Sequence, residues 1–208
     1  MASEKVIVIT GASSGIGAAL AGQLGSRGQR LVLAARRERE LRQVSEPFGR
    51  NALPVVADVC QRSQVENLRE RALAEFGHVD VWINNAGTGI ARKVMELTDQ
   101  EFDEMLAVNL KSAFYGMQVI VPHFKERREG HLINLSSFLS RVPFVTFRSI
   151  YSAAKAALNS LTTQLRMDLA AEYPGIHISL VMPGVVTTEF AAKALREKRH
   201  RRRSRRGL

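Results

Sequence analysis

A short apolar run, Val6–Thr10, passes without a spacer into TGASSGIG at Thr10–Gly17, and a helical stretch follows at once. Gly11, Gly15 and Gly17 stand where a tight turn must bring backbone close to a ligand, since side chains there would block a pyrophosphate. The opening N–H groups of the following helix, with its dipole, favour that anion. A glycine pattern alone is weak, and a plain turn would satisfy it. The strand before and the helix after supply the context in which it reads as dinucleotide binding.

The same alternation continues along the chain. Apolar runs at Val6–Thr10, Leu31–Ala35, Leu53–Ala57, Val81–Asn84, Leu132–Ser136 and Ile176–Met182 are separated by helix-like segments at about 15–27, 38–47, 61–76, 98–126 and 150–172. In the third segment Glu66, Arg69 and Glu70 face away from Val65, Leu68, Ala72 and Phe76, which is helical periodicity. Alternating strand and helix predicts parallel strands with crossover helices on both faces. Such strands are buried on both sides and read as continuous apolar runs. A length of 208 residues fits one domain, and 45% hydrophobic residues with one cysteine exclude a disordered chain, a collagen or a disulfide scaffold. The apolar runs are too short to span a bilayer. The start, MASEKV, has an acid and no extended apolar stretch, which argues against a secretory leader and for a cytoplasmic protein.

The net charge of +10 is unevenly distributed. Residues 193–208 hold nine of the 30 basic residues and one acid, so that tail is +8, and residues 1–192 are +2. The basic character therefore belongs to a short appendage, disordered or helical at its start, beside one dinucleotide-binding and catalytic domain at 1–192. Dense arginine gives unspecific affinity for phosphates, but no aromatic residue there offers a stacking platform, so nucleic acid is not the expected partner.

The end of the second strand bears on cofactor choice. An acid about 20 residues past the glycines would bind a ribose 2′-hydroxyl. LVLAARRERE instead places Arg36 and Arg37 there, which favours a 2′-phosphate, hence NADP over NAD, with Arg36 as the main contact.

At this point the sequence resembles the short-chain dehydrogenase/reductase family through several motifs in order over residues 5–190. TGASSGIG looks like the family's cofactor turn, adding Ser13, Ser14 and Ile16 to the glycines. Asp58 and Val59 resemble its adenine-contact pair, and NNAG at Asn84–Gly87 ends the fourth strand. Asn109 lies in VNLKSAF, Ser137 in INLSS, Tyr151 and Lys155 in YSAAK, and PGVVTT covers Pro183–Thr188. The resemblance implies a Rossmann-like doubly wound parallel sheet and hydride transfer between NAD(P) and an alcohol or ketone carbon. It implies that Ser137, Tyr151, Lys155 and Asn109 are catalytic, Asn109 by organising a water path behind Lys155. For the cofactor it implies Asn85, Ala86, Gly87, Pro183, Gly184, Val186 and Thr188, together with Tyr151 and Lys155.

The residue chemistry stands beside the resemblance. Tyr151 and Lys155 are four apart in a helical segment and share a face. A free phenol near pKa 10 is a poor base at neutrality, and a neighbouring ammonium, with the cationic nicotinamide ring, is expected to lower it. Tyr151 then exchanges a proton with the substrate oxygen, which Ser137 fixes and polarises. Taken alone, a Tyr and Lys at this spacing are usually a helix surface pair, and Asn84 and Asn85 can be plain turn residues. His123, His131 and His177 have no partners at metal-binding spacing and read as structural, so no metal is expected. Cys60 reads as a buried or half-buried thiol.

Phe138, Leu139, Val142, Pro143, Phe144, Val145 and Phe147 predict an apolar substrate pocket between the serine and the tyrosine helix. Arg141 and Arg148 could reach an anionic group, but solvent exposure is the expected role. Ser137 and Tyr151 are 14 positions apart, one more than the commoner family spacing, so Ser136 is the fallback serine. Past the PG motif the usual covering segment and last strand are lacking, which leaves Ile176–Met182 as an edge. A replaced ending is expected over a natural truncation. Two further readings follow: a dinucleotide-binding protein with little turnover, and a homo-oligomer packed through the helices at 98–126 and 150–172.

Overall fold

A computed structural model describes residues 4–142, 147–184 and 186. Among them, strands β1 (Val6–Thr10), β2 (Arg30–Ala35), β3 (Ala52–Val56), β4 (Val81–Asn84), β5 (Gly130–Leu135) and β6 (Ile176–Val181) form one sheet. All pairings are parallel, in the order β3-β2-β1-β4-β5-β6. The connecting helices are α1 (Gly15–Gly25), α2 (Glu38–Ser45), α3 (Arg62–Phe76), α4 (Asp99–Leu106), α5 (Ser112–Arg127) and α6 (Ser149–Ala170). This is the expected doubly wound Rossmann-like α/β fold. Strand order reverses between β1 and β4, which opens a crevice beyond their carboxyl ends.

Period-two alternation assigns the strand side chains to two apolar layers. Val6, Val8, Val32 and Ala34 point to the face covered by α3, α5 and α6, where they meet Leu68, Ile120 and Leu158. Ile7, Ile9, Leu31 and Leu33 point to the opposite face, against Ala21 of α1 and Leu41 of α2. Both layers are apolar, so β1 and β2 are buried almost end to end. In α3 the inward residues are Val65, Leu68 and Ala72, as the periodicity requires.

A polar chain crosses this interior. The Trp82 indole donates to Asn84 Oδ1 (2.8 Å), and the Asn84 amide donates to Asn134 Oδ1 (2.8 Å) and Ala113 O (3.2 Å). Asn134 in turn donates to Thr162 Oγ1 of α6 (3.0 Å). Asn84 and Asn134 are register partners on β4 and β5. Every member is satisfied, so the chain locks α5, the sheet and α6 together without orphaned polar groups.

Two departures from the sequence reading matter for the site. The stretch expected over 98–126 is helical, but not regularly so: a π turn at Ala107–Lys111 stands between α4 and α5 and carries Asn109. Single π turns recur at functional sites because they re-aim one side chain. The second departure is a 3-10 turn over Phe138–Ser140, capped by Ser137, that precedes α6. At the sheet margin β6 pairs only with β5 among the described residues, and Val181 is exposed. Pro143, Phe144, Val145, Thr188 and the basic segment 193–208 lie outside the described residues.

Candidate active site

The glycine turn is built by close contact with the end of β4. Gly11 has φ +67°, and a Cβ there would stand 2.8 Å from Ala86 Cα. A Cβ on Gly17 would stand 2.4 Å from Gly11 O, a backbone atom that cannot step aside. Thr10 and Asn85 pin the two segments to one another. The Thr10 hydroxyl accepts from Asn85 N (3.0 Å) and Ala86 N (3.1 Å), while the Asn85 amide donates to Thr10 O (2.8 Å) and Gly11 O (3.1 Å). Asn85 thus holds the loop's shape, while Asn84 points into the buried polar chain and not into the cleft. Helix α1 starts at Gly15 with no side-chain cap on its first turn and no acid there. Its opening N–H groups face the cleft, the arrangement that binds a phosphate.

A cavity of about 410 Å³ runs from this turn to the start of α6. Gly11, Ser13, Ser14, Gly15 and Ile16 line one end with Arg36, Arg37, Asp58, Val59 and Cys60; Asn85, Ala86 and Gly87 line the middle. Ser137, Phe138, Leu139, Arg148, Tyr151, Lys155, Pro183, Gly184 and Val186 line the far end. Gly17 and Asn109 stand behind this wall and do not line it. At the first end, Arg37 is anchored to Ser13 Oγ (3.3 Å) and Glu40 (3.3 Å), whereas Arg36 is exposed. The Cys60 thiol is half-buried, and burial with the adjacent Asp58 pushes its pKa up to about 11, so it stays neutral.

At the far end, the Ser137 hydroxyl accepts from Leu139 N (3.2 Å) and is hydrogen-bonded to the Tyr151 phenol. Ser136, the fallback, points elsewhere: its hydroxyl donates to Asn159 Oδ1 (2.5 Å). Lys155, 4% exposed, donates to Leu135 O (2.7 Å), and burial brings its pKa down to about 8. Asn109 Nδ2 donates to Met105 O (3.1 Å), and its Oδ1 accepts from Thr88 N (3.1 Å). That carboxamide ties the π turn to the loop after β4 and stands close behind Gly87.

Two expectations need correction. The sequence predicts that Lys155, with the cationic nicotinamide ring, lowers the Tyr151 pKa; among the chain's own groups burial raises the phenol above its ordinary 10.0, opposed by the Ser137 hydrogen bond and the charge of Arg148. The reason is geometric: the Lys155 ammonium is directed at the end of β5. The sequence also predicts Arg148 in solvent. It is half-buried, lines the cleft and donates to Ile90 O (3.4 Å).

Sequence reasoning passes over the clasp that holds Arg148. Arg92, 8% exposed, meets Glu101 Oε1 through Nε (3.0 Å) and Nη2 (2.7 Å). Its backbone N donates to Phe147 O (2.9 Å), and its carbonyl accepts from Ser149 Oγ (3.2 Å). Glu101 also closes a capping box with Thr98 at the start of α4. One ion pair therefore joins α4, the loop after β4 and the first turn of α6. No motif signals it, since the two residues are ordinary surface types until folded.

The family model described as short chain dehydrogenase matches residues 5–199. An uncharacterised oxidoreductase of Staphylococcus epidermidis is 35% identical over 185 residues, 89% of this chain and 79% of the relative. A short-chain dehydrogenase/reductase of Burkholderia phymatum, solved in complex with NAD, superposes with TM-score 0.88 at 33% identity, over 93% of this chain and 70% of the other. A variant of actinorhodin polyketide ketoreductase, solved with NADPH, superposes with TM-score 0.87 at 30% identity, over 95% of this chain and 77% of the other. With a sheet, turn and cleft of the same kind, the chain belongs to the short-chain dehydrogenase family of nicotinamide-dependent oxidoreductases.

Proposed function

We propose that this oxidoreductase uses NADP to interconvert an alcohol and a ketone on a rather apolar small molecule. The observation that carries the reading is the placement of the Tyr151–Ser137 pair and the glycine turn on one cleft. When bound, a nicotinamide dinucleotide supplies or accepts the hydride. The uncapped first turn of α1 would hold its pyrophosphate, and Asp58 and Val59 would contact its adenine. Ala86, Gly87, Pro183, Gly184 and Val186 would contact the nicotinamide half; Thr188 belongs to the same proposed set.

Tyr151 moves the proton. Its raised pKa keeps the phenol protonated at neutral pH, the form that donates to a carbonyl oxygen. Ser137 holds and polarises that same oxygen. Leu135 O takes one ammonium proton of Lys155, which leaves two donors for ribose hydroxyls. Asn109 fixes the loop against which Lys155 is packed. Phe138 and Leu139 give the substrate end its apolar wall.

Arg36 and Arg37 support NADP. Arg37 is braced by Ser13 and Glu40, so its position is set before any ligand arrives. Arg36 reaches over the cleft, where its charge is felt by the Cys60 thiol. Two guanidiniums at the end of β2, where an acid would bind a ribose 2′-hydroxyl, suit a 2′-phosphate. No helix among the described residues is long and apolar enough to cross a membrane. A cytoplasmic homo-oligomer belongs to the same proposal, supported by the exposed Leu161 and Met167 on α6.

The test is NADPH oxidation at 340 nm with ethyl acetoacetate, acetophenone and phenanthrenequinone. Wild type turns over at least one, and Tyr151→Phe loses about 100-fold or more while still binding NADPH. Equal turnover by the variant overturns the assignment. Tight NADPH binding without any turnover gives a dinucleotide-binding protein instead.

A further inference from the structure

We propose that Asn159 is a positioning residue that sets Ser137 against Tyr151, acting through Ser136 and Ser140. The inference rests on the reading that Ser137 meets the substrate oxygen.

Ser137 leaves the end of β5 on a short 3-10 turn, not on a regular element. Two backbone bonds tie it laterally: Ser136 N to Val181 O (2.7 Å) and Phe138 N to Pro183 O (3.0 Å). Both run toward β6 and its continuation. Neither relates the serine to α6, the helix that carries the tyrosine. Lys155 of α6 reaches the residues before the serine: its ammonium donates to Leu135 O (2.7 Å) and its carbonyl accepts from Ser136 Oγ (3.3 Å). Asn159 is the α6 residue that also reaches past the serine. Its Oδ1 accepts from the Ser136 hydroxyl (2.5 Å), and its Nδ2 donates to the Ser140 hydroxyl (2.7 Å). Ser140 Oγ then donates to Ser137 O (2.5 Å). One carboxamide therefore grips the chain on both sides of Ser137.

The chemistry requires this residue type. Ser140 commits its single proton to Ser137 O, so it must accept from Asn159, which fixes the amide orientation. An aspartate offers no donor, and an aliphatic residue offers neither group. The helix supplies the spacing. Asn159 follows Lys155 by four positions and Tyr151 by eight, so the three lie one per turn along a face of α6. A single rigid helix thus carries the phenol, the ammonium and the clamp for the serine. The Ser137–Tyr151 hydrogen bond is then set from α6 itself, through Ser136 and Ser140.

The variants are Asn159→Ala, Ser140→Ala and Ser140→Thr in the full chain. The first readout needs no turnover: tyrosinate absorbance at 295 nm, with Tyr151→Phe subtracted to isolate Tyr151. Ser137 favours the phenolate, so loosening it moves the Tyr151 ionisation upward; the other charged groups at that site, Arg148 and Lys155, are untouched. Asn159→Ala and Ser140→Ala are expected to move it upward as Ser137→Ala does. Adding Asn159→Ala to Ser137→Ala should move it no further. The second readout is kcat for any ketone of the panel that wild type reduces, expected to fall about 10- to 100-fold with KM for NADPH unchanged. Ser140→Thr keeps the hydroxyl and should recover most of what Ser140→Ala loses. Unchanged Tyr151 ionisation in both alanine variants overturns the proposal, as does a threonine variant no better than alanine. If wild type reduces no ketone, the catalytic reading falls, while the titration still decides whether Asn159 positions Ser137.

Discussion

Lys155 is the residue with the sharpest conflict between stability and activity. Burial lowers its pKa from 10.5 to about 8, so between those values the unfolded chain binds more protons than the folded one. Stability must then rise with pH across that window, as the cost of a buried ammonium is relieved. Lys155→Met removes the titration. Urea unfolding at pH 7.5 and pH 10 should show wild type gaining on Lys155→Met at the higher pH, with the variant inactive at both. Equal gains at the two pH values would remove Lys155 as the source. At this scale, identities are readable in the sequence and environments are not. Tyr151, Lys155 and Ser137 are marked by the motifs they stand in, YSAAK and INLSS. That Asn85 braces the turn while Asn84 turns inward depends on which face of β4 each occupies. The role of Asn159 is visible only as a third polar residue at the tyrosine–lysine spacing.

Elements are legible wherever a run is apolar on both faces, as in β1 and β4, whose limits agree with the sequence reading. The stretch expected at 98–126 is helical as read, but its π turn goes unseen, because it adds about one residue to a turn without interrupting the apolar content. The Arg92–Glu101 clasp is the main element-scale device. Arg92 is almost fully buried, so Glu101→Ala leaves an unpaired charge and also opens the capping box of α4. A loss of about 3–5 kcal/mol in urea denaturation is expected, against under about 1 kcal/mol for breaking the exposed pair Arg42–Glu38. A smaller loss at Glu101 would show that water reaches Arg92 once its partner is gone.

For the whole molecule, the reversal of strand order between β1 and β4 decides where a ligand enters. The glycine turn, the loop after β4 and the start of α6 belong to separate parts of the chain and meet only there. A ligand bridging them should stabilise the fold as one unit. NADPH at a hundred times its Kd is expected to add about 2.7 kcal/mol, read as a raised Tm. The NADPH increment should shrink in Arg36→Ala and the NADH increment should not. Equal loss with both dinucleotides would assign Arg36 to the fold and leave cofactor choice elsewhere.

The π turn at Ala107–Lys111 also bears on how this chain tolerates insertions and deletions. Excising one residue from it would restore regular winding while α4 and α5 keep their facing. The backbone would lose nothing, yet Asn109 would let go of Thr88 and Met105 together. A shortened chain of this kind should fold readily yet lose the brace between the π turn and the loop after β4.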